Sequence, residues 1–269
     1  MKKIHYFAML AACAMPASAA TTFSFQQGDL RQDGVLFGVG SGYAGASDGS
    51  IIDQNPTKTA NSGTANRIGT QFNSTSANTG NDGRGINGLF TFDLTALADY
   101  LAANPTFTVS DVSLSVTRVG GGGSFGRAIS LYATEAYTDS ANWTTSDGTN
   151  PWSSPTTPNG TTTPGLAGGG TVGALVGGTT FGTTKTTAPW VWGTSANFTA
   201  AVNSALAGDK KLYLLAQTGY GNGDSFFDFA KFDDATVENR PDLQITVIPE
   251  PSAALLGALG ALFLLRRRR

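Results

Sequence analysis

Val112-Ser113-Leu114-Ser115-Val116-Thr117 alternates apolar and polar side chains without a break. A period of two sends Val112, Leu114 and Val116 to one face of a strand and Ser113, Ser115 and Thr117 to the other. The same pattern recurs on both sides of this stretch. Leu89, Thr91 and Asp93 oppose Phe90 and Phe92. Ile129, Leu131 and Ala133 lead one further strand, Leu212, Leu214 and Ala216 another, and Leu243, Ile245 and Val247 the last. Each run has strand length and is bounded by Gly, Pro, Asn or Asp. Phe90, Phe92, Leu114, Val116, Leu131, Leu214, Leu243 and Ile245 are the expected core between two antiparallel sheets.

Two short helices are expected among the strands. Thr95 to Ala102 places Leu94, Leu97 and Leu101 on one face. Phe198 to Ala207 does the same with Phe198, Val202 and Leu206, and Gly208 stands where a helix stop belongs. Neither has the length of a crossover helix in a parallel sheet. Residues 144–189 are rich in Gly, Thr and Pro with few apolar anchors, which predicts a long surface excursion. The glycine clusters Gly38-Val39-Gly40 and Gly120 to Gly123 lack the strand–helix setting of a phosphate loop and read as turns and tips. No internal repeat of fixed period is present.

Both ends of the chain carry address-like segments. Lys2-Lys3 precedes a mostly apolar stretch from Ile4 to Met15, and Ala17-Ser18-Ala19 supplies small residues for cleavage before Ala20. At the other end, Pro249-Glu250-Pro251 is followed by Ser252 to Leu265 and then by Arg266, Arg267, Arg268 and Arg269. The fourteen residues from Ser252 to Leu265 would span roughly 21 Å as a helix, short of a bilayer core of about 30 Å. The arginines would hold the end on the cytoplasmic side. The prolines are expected to separate this tail from the folded body, since neither continues a helix or a central strand. An ordinary C-terminal membrane anchor is the alternative. The triplet, apolar stretch and arginine cluster together resemble the PEP-CTERM sorting signal of bacteria that possess an exosortase. That resemblance implies export, processing and a Gram-negative-type envelope, outer surface or extracellular matrix as destination. The implied divisions are 1–19 (signal peptide), 20–248 (body) and 249–269 (sorting signal).

Composition narrows the chemistry of the body. The only Cys is Cys13 and the only His is His5, both within the leader. A mature body without either residue excludes Ser-His-Asp and Cys-His nucleophiles, thiolate or imidazole zinc sites and c-type haem attachment. Folding must also proceed without a disulfide, which 228 residues from Thr21 to Ile248 are enough to permit. That span holds eleven Lys and Arg against eighteen Asp and Glu, a net charge of −7. Such a balance argues against nucleic acid and against unassisted binding of polyanions.

The body itself resembles a DNRLRE-type domain, a surface-protein β-sandwich family related to archaeal disaggregatase and to alginate-binding carbohydrate-binding modules. Gly42-Tyr43-Ala44-Gly45-Ala46-Ser47-Asp48-Gly49-Ser50-Ile51 is similar to the family's opening strand. Asn55-Pro56 and Asn61-Ser62-Gly63 follow like its turn, and Leu89-Phe90-Thr91-Phe92-Asp93-Leu94 like its Leu-x-x-Phe-Asp-Leu. Val112 to Val116 sits where its next strand belongs, and Asn142-Trp143 where its tryptophan segment does. Trp190 and Phe198 to Val202 resemble its late helix, and Asn239-Arg240-Pro241-Asp242-Leu243 the start of its last strand. Of the charged residues that usually precede that strand, Lys231, Asp233 and Glu238 are present.

Candidate sites are few. Asn222, Asp224, Asp228, Asp233, Asp234 and Glu238 lie within seventeen residues. Oxygen ligands at short spacing suit calcium, with Asp48 and Asp53 as alternative ligands if the N- and C-terminal strands pair; a solvated acidic loop is the other reading. Tyr43, Trp143, Trp152, Trp190, Trp192 and Tyr220 could stack on sugar rings through apolar and C–H/π contact. Core packing is the other expectation, favoured for Trp143 and Trp190, whereas Trp152 and Tyr220 sit among Gly, Asn, Ser and Pro and are expected to be exposed. Tyr43, Trp152 and Tyr220 are therefore the glycan candidates. Asp93 and Asp228 are the nominal pair for glycoside hydrolysis. Asn73, Asn142 and Asn197 open Asn-x-Ser/Thr triplets, as chance allows in a chain so rich in these residues.

The expected molecule is all-β: a jelly-roll-like antiparallel β-sandwich with one or two short helices, flanked by an N-terminal signal helix and a short C-terminal hydrophobic helix. Its expected role is non-catalytic association with exopolysaccharide at the cell surface. Partners would be the Sec translocon, signal peptidase, exosortase and polysaccharide, with transient membrane contact through the tail and no nucleic acid. A polysaccharide hydrolase or lyase, or a structural matrix protein without glycan affinity, are the alternatives.

Overall fold

The computed structural model describes residues 20–28, 42–52, 66–71, 84–123, 128–142, 145–152, 175–180, 189–218 and 225–250. The elements run β1 (Thr21–Gln26), β2 (Ala46–Ile52), β3 (Asn66–Gln71), β4 (Arg84–Asp93), α1 (Thr95–Ala103), β5 (Phe107–Val116), β6 (Arg118–Gly123) and β7 (Ala128–Ala133). Then come β8 (Leu175–Thr180), β9 (Trp190–Trp192), α2 (Ala196–Ala207), β10 (Lys211–Thr218), β11 (Ser225–Phe229) and β12 (Asp242–Pro249). The fold is all-β with two short helices, its strands arranged in a sandwich-like manner. Every expected strand and both expected helices are present.

One sheet has the order β1-β12-β5-β9. Its inner face carries Phe23, Phe25, Val112, Leu114, Val116, Trp192, Leu243, Ile245 and Val247, all buried. The register puts Phe23 opposite Ile245 and Ile245 opposite Val112, so one row crosses three strands. The alternate positions form a polar face. There the Thr22 and Thr246 hydroxyls meet at 2.9 Å, and Ser24 Oγ and Gln244 Nε2 each donate to the Asp242 carboxylate at 2.7 Å.

The other sheet is larger and forks at β4. β2 runs along one edge of β4 from Ile86 to Phe92. The opposite edge is divided, with β10 paired over Gly88–Asp93 and β3 over Arg84–Ile86. From β10 the sheet continues through β7 to β8, and from β3 through β11 to β6. Ile68, Phe90, Phe92, Ile129, Leu131, Val176, Leu214, Ala216, Phe227 and Phe229 complete the main core. Gly88 makes room in it: a Cβ there would come 2.8 Å from the Ile68 side chain. All eight core residues expected from the alternation are fully buried.

The outer face of this sheet is also covered. Ile51, Leu89 and Leu215 form a second buried cluster with Ala141 and Trp152, and Tyr137 packs against it. Residues 134–142 and 145–152 therefore act as a lid across β2, β4 and β10. Trp152 is its plug, with the indole N–H donating to the Asn142 carbonyl at 3.0 Å.

Local chemistry fixes the helices. Ser195 Oγ accepts from the Phe198 N–H at 3.0 Å, a helix N-cap, while Phe198 and Val202 are buried. Gly208 ends α2, but the left-handed residue is Lys210, at φ 67°. Its Nζ donates to the carbonyls of Leu206 and Gly208, where a cation offsets the negative helix end. In α1, Leu97 is buried, and Asp93 Oδ1 accepts from the Thr95 N–H at 2.8 Å.

Two expectations need correction. Gly120 to Gly123 belong to β6 and pair with β11; bare glycines let two backbones approach with no side chain to mark a strand. The segment from 144 to 189 is not all excursion. Thr145 bridges Pro151, Trp152 is buried, and β8 pairs with β7 and buries Val176. Pro249 is the last residue of β12, opposite Phe107, a position at a strand end that proline tolerates. The expected signal helix (1–19), Gly38 to Gly40 and the expected C-terminal hydrophobic helix lie outside the described residues. Among the described residues no helix is long and apolar enough to cross a membrane.

Candidate functional site

Small side chains open a groove beside α2. Asn197, Ala200, Ala201, Ser204 and Ala205 recur at helical spacing along one face, facing the ends of β7 and β10. Alanine and serine cannot fill the gap to the sheet. The space left has a volume of about 430 Å³, within the size range of small-ligand sites. Leu212 and Tyr213 of β10 line the opposite side, with Ala133 at the end of β7 and Thr134 just beyond it.

The left-handed turn at Lys210 brings Asp209 and Lys211 to the groove. Asp209 Oδ1 accepts from the Lys211 backbone N–H at 3.0 Å, and its Oδ2 from the Tyr213 hydroxyl at 2.9 Å. The Thr134 N–H donates to the Tyr213 carbonyl at 3.0 Å. The Thr134 hydroxyl is buried in the wall and meets no hydrogen-bond partner among the described residues.

Electrostatics favours a neutral phenol here. Burial, then the Asp209 carboxylate, push the Tyr213 hydroxyl up to about 12. At neutral pH Tyr213 is therefore a donor held to a carboxylate, not a tyrosinate base. Asp209 is the one carboxylate among the lining residues. The groove offers a half-buried aromatic ring, alanine methyls and fixed polar groups, a combination suited to holding a polyhydroxylated ring.

The residues singled out from sequence are dispersed. Tyr43 is half-buried and packs edge-on to Phe25 at 5.4 Å. Its hydroxyl accepts from the Asp93 N–H at 2.8 Å and donates to the Asp93 carbonyl at 3.2 Å. Burial raises its pKa, so it clamps the end of β4. Trp152 is only 2 % exposed; the expectation of an exposed stacking surface fails there because Ile51, Leu89 and Leu215 needed a cover. Trp190 lies edge-on to Phe227 at 4.9 Å, with the Arg118 guanidinium 5.7 Å from its ring centre. Trp192 is buried and donates to the Ile129 carbonyl at 3.0 Å, tying the two sheets together. Tyr220 and Trp143 lie outside the described residues.

The acidic residues each have a local role or stand apart. Asp228 is half-buried on β11 beside Arg118, and Asp233 and Glu238 are exposed. Asp234 Oδ1 accepts from the Thr236 N–H at 2.9 Å. Asp48 Oδ2 accepts from the Phe232 N–H at 2.7 Å. No group of three or more acidic side chains placed to hold a metal occurs among the described residues; Asn222, Asp224 and Asp53 lie outside them. Asn142 is 4 % exposed and its side chain accepts from the Thr145 N–H, whereas Asn197 is exposed. Asn73 is outside the described residues.

Among the sorting residues, Glu250 donates its N–H to the Thr106 carbonyl at 2.6 Å. Pro251 and Arg266 to Arg269 are outside the described residues. Ala20 is exposed immediately before β1; Ala17 and Ala19 lie outside.

The groove residues escaped the sequence reading. Asp209 and Tyr213 stand four apart across a helix–strand turn, which no strand or helix period reveals. The alanines of α2 carry no large side chain, so nothing in their spacing marks a groove wall. No protein-family model matches the chain, and no curated protein matches it either.

Proposed function

We propose that this chain is an exported protein of the bacterial surface or extracellular matrix, whose sandwich associates non-catalytically with a glycan. The observation that carries this is the pairing of the first strand with the last. Thr21 lies opposite Val247 in antiparallel register, so leader and tail join the body at adjacent strand ends. Such an exit suits a domain whose two flanking apolar segments address one membrane. The lysine-led leader, the Pro-Glu-Pro triplet and the arginine cluster support export and exosortase processing.

The positions of β2, β4, β5, α2 and β12 support the DNRLRE-like, jelly-roll-like reading of the body, since each falls on a segment quoted for that resemblance. Arg240 supports it further. Its Nε donates to the Asp234 carbonyl at 2.6 Å and its Nη1 to the Gln27 carbonyl at 2.8 Å. Ahead of the last strand it holds the chain that follows the first, where Gly28 takes φ 73°.

The α2 groove is the proposed glycan contact, with Tyr213 as the ring and Asp209 and Ser204 as polar partners. With a net charge of −7 between Thr21 and Ile248, a neutral or amino-bearing glycan is favoured over a polyanion. Export is tested by protease shaving of intact cells that produce the chain with and without Ser252–Arg269. Surface peptides from the full chain and their loss on truncation are expected. A full chain that stays inaccessible overturns the proposal.

A further inference from the structure

We propose that the end of β12 is a latch: the folded sandwich holds Pro249 and Glu250 against β5 and so masks the Pro249–Glu250 peptide bond from proteolysis. The inference rests on the reading above that the tail is removed, and sets where removal can occur. Up to Val247, β12 is paired on both sides, by β1 and by β5. Beyond it, among the described residues, only β5 continues, with Ile248 opposite Thr108 and Pro249 opposite Phe107. Pro249 has no N–H to give. The Glu250 N–H, donated to the Thr106 carbonyl, is therefore the next fastening beyond it.

The seat is built into the core. Phe107 packs edge-on to Tyr100 of α1 at 5.7 Å, and Tyr100 packs on Phe23 of β1 at 5.1 Å. These aromatic contacts hold Phe107, the residue that Pro249 faces, fixed against the core. Extended peptides are commonly recognised by adding them as a strand, through the same backbone groups that a sheet uses. Those groups of Pro249 and Glu250 cannot serve β5 and an enzyme together. Hydrolysis of the Pro249–Glu250 bond, in which water supplies hydroxyl to the acyl side and a proton to the amine, waits for the strand end to open. Tail removal from the folded protein then leaves Pro249 and Glu250 on the body.

The test uses the full chain, solubilised in mild detergent, and a post-proline endoprotease that acts on folded proteins. Cleavage after Pro249 should be at least about tenfold slower in the folded chain than in urea, if closing the strand end is favoured by about 1.4 kcal/mol. Phe107→Gly should restore cleavage and speed hydrogen exchange at the Glu250 N–H, while Phe107→Leu should behave as wild type. The thermal midpoint of each variant separates a loosened latch from global unfolding. Equal cleavage in folded and unfolded chain, or a surface product ending at Ile248 or Pro249, overturns the latch. A surface product that still carries Arg266 to Arg269 overturns tail removal instead, and leaves the protease comparison to decide the latch.

Discussion

Thr21, the first residue of β1, lies directly opposite Val247 of β12. Two residues on, Phe23 faces Ile245, and both are fully buried. A strand that begins next to the expected leader cleavage point is thus part of the main core. Phe23→Ala or Phe25→Ala should cost about 3–5 kcal/mol, the usual loss for an aromatic core truncation. Urea denaturation measures this, and a change within experimental error would detach β1 from the core.

Leu114 and Ile245 occupy the centre of the same sheet and are also fully buried. Truncating either to Ala should cost about 2–5 kcal/mol through the cavity left behind. The exposed Val191, at 47 %, serves as the control: Val191→Ala should shift stability by no more than about 0.5 kcal/mol. Equal losses at all three positions would mean that the inner and outer faces have been confused.

Trp152 separates two roles that its sequence setting left open. As the plug over Ile51, Leu89 and Leu215, Trp152→Ala should lower stability by about 3–5 kcal/mol. A stacking platform would instead lose glycan affinity with stability intact. Thermal unfolding alongside glycan titration distinguishes the outcomes.

Tyr213 sets a pH dependence. Its folded pKa, about 12, lies above the ordinary tyrosine value of 10.0. The stability linked to this proton is therefore fully present below pH 10.0 and lost as pH rises towards about 12, because the unfolded chain releases the proton first. Tyr213→Phe should flatten the decline in stability across that window. Tyr43 and Tyr137, whose pKa values burial also raises, leave a residual slope. An unchanged slope in Tyr213→Phe would refute the burial and carboxylate contact assigned to this phenol.

The sandwich was legible because alternation is a local signal with a physical cause. Phe90 and Phe92 must turn to one side, and Leu114 and Val116 likewise, whatever the loops do. β6 and β8 were not legible, since Arg118-Val119-Gly120-Gly121-Gly122-Gly123 and Leu175-Val176-Gly177-Gly178-Thr179-Thr180 carry few side chains to alternate. The lid carrying Trp152 was missed for a related reason: Leu89 and Leu215 were visible as strand residues, but nothing local says what covers them. The groove depends on what α2 lacks, a large side chain at Ala200, Ala201 or Ala205, and on a left-handed Lys210 that residue type does not announce.

Glycan binding by the purified chain, wild type beside Tyr213→Ala and Asp209→Ala, tests the central claim most directly. An array of neutral, amino-bearing and uronic-acid polysaccharides would be read for both retention and reducing-end release. The expected result is retention of a neutral or amino-bearing glycan without release, weakened at least about tenfold by either substitution, a loss of about 1.4 kcal/mol. Release of reducing ends, silence across the array, or retention indifferent to Tyr213 and Asp209 would contradict it.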